Sequence, residues 1–185
     1  MKAVVYACMA DGLEEVECLA AADVMIRCGI TVKLVSMTGN REVTGTHGIR
    51  IMTDLLWEES EPDEADCIFL PGGMPGTKNL AAHEGLGQAL MRAVEEDRRV
   101  AAICAAPSVL GGLGLLHGKK ATCYPGFEEA LEGAEYTSQG VVTDGLVTTA
   151  RGLGYALDLG LELSRLLVGK DTAAKVKAGI QYDQV

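Results

Sequence analysis

The chain has 185 residues, 48% of them hydrophobic but only 4% aromatic, and its formal net charge is −10. This length and composition suit one globular domain with an aliphatic core, and we expect residues 1–185 to form a single domain. The negative charge argues against nucleic acids and anionic membranes as partners, because both bind basic protein surfaces. No segment approaches the roughly 18 apolar residues of a membrane helix, and the N-terminus lacks a signal-peptide pattern, so we expect a cytoplasmic protein.

Six cysteines and three histidines are spread along the chain without a metal-binding pattern. There is no Cys-x-x-Cys pair, and His47, His83 and His117 are far apart in sequence, so we expect no metal site. Disulfides are not expected either, because a domain of this length is stable without covalent cross-links and the cytoplasm is reducing.

Short apolar runs alternate with helical patterns along most of the chain. The pattern predicts a strand within 2–7, a helix over 14–29 that stops at Gly29, and a second strand at Ile30–Ser36. Turn-rich or acidic loops are expected at 39–48 and 58–64. The remaining predicted strands are 49–53, 66–70, 99–103, 121–124 and a hairpin of 141–143 with 146–149, and the remaining predicted helices are 86–96, 107–116, 154–167 and 172–178. Strands that alternate with helices form an α/β fold with a mostly parallel sheet and helices on both faces.

Three segments follow predicted strands of this sheet: Asp11–Glu17, Pro71–Gly76 and Cys104–Pro107. Ligands of parallel sheets bind beyond the carboxyl ends of the strands. We therefore expect these three segments to form the functional site.

Cys104 ends an apolar strand, and Ala105, Ala106 and Pro107 follow it. Proline suits the first turn of a helix. The backbone N–H groups and the dipole of a helix start favour negative charge, so we expect a lowered pKa and a reactive thiol at Cys104. The alternative is that Cys104 is a small buried hydrophobic residue, as most free cysteines are.

Glu17 shares a helical stripe with the apolar residues Leu13, Ala20 and Val24. A carboxylate on such a stripe is costly unless it has a partner, and burial would raise its pKa. Glu17 could then act as a protonated hydrogen-bond donor or as a general base. The alternative is an edge position that reaches water. Glu14 and Glu15 suit the positive end of the helix and need no further role.

The loop Pro71–Gly76 is rich in glycine and could present bare backbone N–H groups to an oxyanion. It could equally be an ordinary connection. Neither the spacing of a Walker A loop nor that of a Gly-x-Gly-x-x-Gly fingerprint occurs in the chain, so nucleotide binding is not expected.

Together these segments resemble the ThiJ/PfpI superfamily, and within it the DJ-one-like branch. The residues that carry the resemblance are DGLEEVE at 11–17, LPGG at 70–73 with Asn79-Leu80, AAICAAP at 101–107, Asp144-Gly145, TARG at 149–152 and AKVKA at 174–178. They occur in order over nearly the whole chain. The resemblance implies a flavodoxin-like three-layer sandwich of the class I glutamine amidotransferase-like type, which is usually a homodimer.

The resemblance also assigns roles. Cys104 matches the reactive cysteine, Glu17 a protonated glutamate that touches its sulfur, and the backbone N–H groups of Gly73 and Ala105 an anion pocket, which Gly72 and Tyr124 would help to line. Members of the family are linked to cofactor-free conversion of methylglyoxal to lactate (glyoxalase III), to protein deglycation, to oxidation sensing and to chaperone activity. It therefore implies a small aldehyde or glycated substrate and no cofactor.

Two positions depart from the patterns of the superfamily. Glyoxalase-type members carry a histidine where this chain has Tyr124, and a phenol is a poor proton shuttle at neutral pH. A sensor or redox chaperone that works through oxidation of Cys104 is therefore an alternative to an enzyme, and a binding module with an unreactive Cys104 is a third. The protease-like branch places a histidine directly after the cysteine; Ala105 stands there, so a peptidase is not expected.

Overall fold

A computed structural model describes residues 2–182. Its strands are β1 (Val4–Met9), β2 (Thr31–Ser36), β3 (Glu42–Thr44), β4 (Arg50–Met52), β5 (Leu55–Leu56), β6 (Cys67–Leu70), β7 (Arg99–Ile103), β8 (Lys120–Ala121), β9 (Glu135–Tyr136), β10 (Val141–Asp144) and β11 (Val147–Ala150). Its helices are α1 (Glu15–Arg27), α2 (Gly76–Ala81), α3 (Glu84–Glu95), α4 (Pro107–Gly112), α5 (Ala156–Val168) and α6 (Lys170–Gly179).

Seven strands form the central sheet in the order β10–β11–β7–β6–β1–β2–β5. All neighbours in this sheet are parallel except β10 and β11, which form an antiparallel hairpin at one edge. The predicted mostly parallel sheet is therefore confirmed. Two small two-stranded sheets, β3 with β4 and β8 with β9, lie outside it.

The central strands are buried on both faces. Along β1, Val5, Ala7 and Met9 pack into one hydrophobic cluster together with apolar residues of α1 and α5. The alternate residues Tyr6 and Cys8 pack into a second cluster with α2, α3 and α4. Because side chains alternate across a strand, each helical layer covers one face of the sheet. The result is the expected three-layer sandwich, with the carboxyl ends of β1, β6 and β7 side by side.

The strand predicted over 121–124 is wrong beyond Ala121. The chain after β8 turns toward the end of β7, where the Tyr124 N–H donates to the Cys104 carbonyl at 2.8 Å. The Thr122 N–H donates to the side-chain hydroxyl oxygen of Thr149 at 2.9 Å. These bonds satisfy the backbone without a strand, and they place Tyr124 beside the expected site.

Two further observations concern the expected environment. None of the helices within residues 2–182 is both long and apolar enough to cross a bilayer. All six cysteines are free, and only Cys104 among them is not fully buried.

Candidate active site

The loops after β1 and β6 are joined by backbone hydrogen bonds. The Glu14 N–H donates to the Gly72 carbonyl at 2.8 Å, and the Gly76 N–H donates to the Gly12 carbonyl at 3.1 Å. The Asn79 side-chain amide adds a bond to the Asp11 carbonyl at 2.9 Å. The first turn of α1 is thereby held against the glycine-rich loop.

Cys104 sits on a sharp elbow directly after β7. Its φ is +64°, a left-handed conformation that is uncommon for residues other than glycine. Both of its backbone groups are tied down: its N–H donates to the Ala150 carbonyl at 2.9 Å, and its carbonyl accepts the Tyr124 N–H at 2.8 Å. The strained conformation is thus held by β11 and by the loop that follows β8, and it turns the thiol toward Glu17.

Glu17 lies in α1 and is 1% exposed. Its Oε2 accepts the Gly72 N–H at 3.0 Å, and the carboxyl group lies close to the Cys104 thiol and the Leu153 N–H. Burial raises the pKa of Glu17 to about 7, and the negative charge of Glu14 adds to this, although the interactions with Cys104, Gly72 and Leu153 lower the pKa. Near neutral pH Glu17 is therefore present in both its protonated and its ionised form.

The pKa of the Cys104 thiol is raised to about 12, so the predicted lowering is wrong. Burial is the largest cause, followed by the charge and the hydrogen bond of the Glu17 carboxylate, while the backbone N–H groups of Ala105 and Gly73 lower it. The prediction took account of the N–H groups and dipole at the start of α4, but not of the Glu17 carboxylate next to the Cys104 sulfur. Once Glu17 takes up a proton, its charge no longer raises the pKa of the thiol, and its O–H becomes a donor to sulfur, which favours the thiolate instead of opposing it.

Gly72 separates the two reacting side chains. A Cβ at this position would lie 2.6 Å from the Cys104 Cβ and 2.6 Å from Glu17 Oε2. Only glycine allows the chain after β6 to approach so closely that the Gly72 N–H can donate to the Glu17 carboxylate. Gly72 therefore has a place between Cys104 and Glu17, whereas other residues line the neighbouring pocket.

A shallow pocket of about 300 Å³ is lined mainly by Tyr124, Arg151, Leu153 and Tyr155. The Tyr124 side chain is 51% exposed, so its hydroxyl can reach solvent. Tyr124, in one wall, donates a backbone hydrogen bond to Cys104, and Leu153, in another wall, lies close to the Glu17 carboxyl group. Neither Cys104 nor Glu17 is among the residues that line the pocket.

The structure brings together the six residues predicted for the site: Cys104, Glu17, Gly72, Gly73, Ala105 and Tyr124. Leu153 was missed, because its contribution is a backbone N–H from a distant turn. The motif TARG at 149–152, which directly precedes Leu153, drew attention to this turn but did not indicate that its backbone reaches Glu17. Within residues 2–182, the metal-ligand side chains that come together are Glu14, Glu15 and His47, and they include neither Cys104 nor Glu17.

The sequence profile of the DJ-1/PfpI family matches residues 2–166 of the chain. The chain belongs to the DJ-1/PfpI family. One relative in this family, protein dj-1beta of Drosophila melanogaster, is 33% identical over 174 residues, which cover 93% of each protein. The crystal structure of Drosophila melanogaster DJ-1beta superimposes with a TM-score of 0.94 and covers 98% of each chain at 32% identity. The predicted family and the flavodoxin-like α/β fold are thereby confirmed.

Two other relatives in the DJ-1/PfpI family differ in name and length. A deglycase of Pyrococcus abyssi is 32% identical over 144 residues, which cover 77% of this chain and 86% of that protein. Protein DJ-1 homolog B of Arabidopsis thaliana is 36% identical over 170 residues, which cover 91% of this chain. The chain spans only 39% of that plant protein.

Proposed function

We propose that this DJ-1/PfpI family member is a cofactor-independent enzyme that acts on small α-oxoaldehydes, or on their adducts with thiols and amines, through Cys104. The observation that carries the proposal is the position of the buried Glu17 carboxyl group next to the Cys104 thiol, with only Gly72 between them. The similarity to a deglycase of Pyrococcus abyssi supports the same substrate class.

The first step is addition of sulfur to the aldehyde carbon. The thiol proton passes to Glu17, whose pKa of about 7 allows it to accept and return a proton near neutral pH. The Cys104 sulfur forms a bond to the aldehyde carbon, and the carbonyl π electrons move to oxygen. The backbone N–H groups of Gly73 and Ala105, which lie against the sulfur, would stabilise this oxyanion.

The second step is an internal redox reaction that needs no cofactor. Glu17 first gives the thiol proton to the oxyanion, which becomes a hydroxyl group, and is then free to act as a base. It removes the proton from the former aldehyde carbon and delivers it to the adjacent ketone carbon, while the hydroxyl proton moves to the ketone oxygen, so the first carbon is oxidised and the second is reduced. The product is a thioester of the hydroxy acid on Cys104. Water then cleaves the thioester, which releases lactate from methylglyoxal and restores the thiol. A hemithioacetal or hemiaminal adduct would first break down to the free aldehyde and the thiol or amine, and the aldehyde would then react in the same way.

The decisive experiment measures loss of methylglyoxal and formation of lactate by the full chain without glutathione. We expect turnover in the wild type and a loss of at least about 10³-fold in Cys104→Ala, because the nucleophile is removed. Cys28→Ala is the matched control, since Cys28 is a free cysteine away from the site, and it should keep wild-type turnover. Equal turnover in Cys104→Ala and Cys28→Ala would disprove the role of Cys104.

A second candidate function is oxidation sensing at the same cysteine. It is favoured by the donors around the sulfur, namely the N–H groups of Gly73 and Ala105 and a Glu17 that can carry a proton. These groups would stabilise a sulfinate formed by peroxide. Mass spectrometry after a peroxide titration tests it: selective addition of two oxygen atoms to Cys104, in a protein without methylglyoxal turnover, would favour the sensor over the enzyme.

A further inference from the structure

Glu14 and Glu15 form a pair of buried carboxylates just before Glu17. Glu14 is 9% exposed and Glu15 is 1% exposed. Two carboxylates so close together are costly to bury unless positive charge balances them. The one basic group that faces both, within the described residues, is the His47 side chain, which is 66% exposed.

Each carboxylate has one oxygen anchored to the backbone. Glu14 Oε2 accepts the Glu17 N–H at 2.6 Å. Glu15 Oε1 accepts the His47 N–H at 2.9 Å and the Ile49 N–H at 3.4 Å. These bonds fix the orientation of both groups, as outer hydrogen bonds do for the ligands of a metal.

The other two oxygens converge on the His47 ring. Glu15 Oε2 lies 2.8 Å from His47 Nδ1, and Glu14 Oε1 lies 3.9 Å from the same nitrogen. An ordinary hydrogen bond between Glu15 and His47 explains the first contact. It does not explain the second oxygen, because Glu14 Oε1 is buried and has no hydrogen-bond partner within residues 2–182. A buried carboxylate oxygen without a partner indicates that something is missing at this point.

Gly45 makes room for this arrangement. A Cβ there would lie 2.1 Å from the carboxyl carbon of Glu15. The loop between β3 and β4 thus forms a cradle that a side chain at Gly45 would fill, and it brings His47 over both carboxylates.

We propose that Glu14 Oε1, Glu15 Oε2 and His47 Nδ1 bind a divalent transition-metal ion, with Zn²⁺ as the best match. Ligands about 2.1 Å from a tetrahedral zinc ion are roughly 3.4 Å apart, and the separations of 2.8 and 3.9 Å from Nδ1 lie on either side of that value. Two carboxylates and a neutral imidazole balance the charge of the ion. Imidazole is a ligand of zinc rather than of calcium or magnesium, which prefer oxygen alone. The exposed side of His47 leaves the fourth position to water.

None of the three ligand atoms belongs to Cys104 or Glu17, and the site does not depend on the proposed reaction. The sequence offered no signal for it, since His47 lies 32 residues from Glu15 and the expectation was that no metal site exists. Its test can therefore succeed or fail independently of any test for turnover.

The experiment is isothermal titration calorimetry with ZnCl2 on the full chain in a Cys104→Ala background, after removal of metals with EDTA and dialysis. The background prevents zinc from binding the partly exposed thiol. We expect one bound ion per chain. His47→Ala should weaken binding at least about 100-fold, and Glu14→Gln at least about 10-fold, because each removes a ligand or its charge. His117→Ala is the matched control, an exposed histidine outside the site, and it should bind like the background protein.

Two results would overturn the proposal: absence of one-to-one binding in the background protein, or binding in His47→Ala equal to that in His117→Ala. His47→Ala removes the basic group that faces two buried carboxylates, so circular dichroism is used to verify that this variant and Glu14→Gln are folded before the titration. A thermal unfolding series provides a second readout. Zinc should raise the melting temperature of the background protein and of His117→Ala, but not that of His47→Ala.

Discussion

At the scale of single residues, Glu17 and Cys104 set each other's proton affinity. The carboxylate is one reason that the pKa of the thiol is raised to about 12, and the thiol hydrogen bond is one reason that the pKa of Glu17 is not raised further. The pair therefore behaves as one titrating unit rather than as a free thiolate with a spectator acid.

We predict that Glu17→Gln changes two measurable properties in opposite directions. Removing the charge should lower the pKa of Cys104 and speed its alkylation by iodoacetamide at pH 8, by about tenfold if the pKa falls by one unit. Turnover of methylglyoxal should fall by about 10² to 10⁴, because no group remains to move the proton. Cys104→Ala gives the background of both assays. Alkylation and turnover that fall together would show that Glu17 only activates the thiol.

The raised pKa of Glu17 also predicts how stability depends on pH. Its ordinary pKa is 4.5 and its folded value is about 7, so between these values the folded protein holds a proton that the unfolded chain has released. Stability from this group is therefore complete below pH 4.5 and is lost as pH rises through 7, by roughly 3 kcal/mol.

Urea unfolding of the wild type and Glu17→Gln at pH 5 and pH 8 measures this effect, with EDTA present so that no cation bound at Glu15 contributes. The difference in unfolding free energy between the two proteins should change by roughly 3 kcal/mol across this range. Other titrating groups, including His47 and Glu15, affect both proteins alike and cancel. A difference that stays constant with pH would contradict the raised pKa.

At the scale of secondary-structure elements, the site depends on how closely the ends of β6 and β7 approach α1. Gly72→Ala should lower the unfolding free energy by about 2 to 3 kcal/mol, because the new Cβ would lie 2.6 Å from both Cys104 and Glu17. Turnover should fall with it. Gly112→Ala is the matched control, since a Cβ at Gly112 meets no atom within 4 Å, and stability should change by less than about 1 kcal/mol. Urea unfolding of both variants tests the prediction, and an undiminished stability of Gly72→Ala would disprove it.

Elements with strong local patterns were predictable, and those that depend on distant contacts were not. The apolar run of β7 was predicted residue for residue. The helix α2 was missed, because it starts at Gly76 directly after Pro75 and is held by burial of Thr77 and Leu80 rather than by helix propensity. In the site, the apolar stripe indicated that Glu17 could be buried but left an edge position as the alternative, and no local signal indicated that its charge would raise the pKa of Cys104.

At the scale of the whole molecule, apolar side chains remain exposed on two joined elements. They are Val16, Leu19 and Ile26 of α1 together with Ile49 and Met52 of the β3–β4 hairpin. Glu15 connects the two elements through its bonds to His47 and Ile49. Such a surface is typical of an interface, and the predicted homodimer would use it to bury these side chains against a second copy.

We therefore expect the wild-type protein to sediment as a dimer and Val16→Arg to shift it toward monomer in analytical ultracentrifugation. A charge at the interface of two identical chains would be buried twice. Met91→Arg is the matched control, because Met91 is also exposed but lies on α3, on the opposite face of the sheet, and should leave the dimer intact. A monomeric wild type, or equal dissociation of both variants, would exclude this surface.

The left-handed elbow at Cys104 has a consequence for the evolution of the chain. A cysteine at φ +64° costs folding free energy that glycine would not. Mutation alone would therefore tend to replace it, and only selection for a thiol at this point can retain it. Descendants that lost the activity would be released from that constraint. Among related sequences, glycine or asparagine after the β7 strand should then mark lineages that kept the fold after the chemistry was gone.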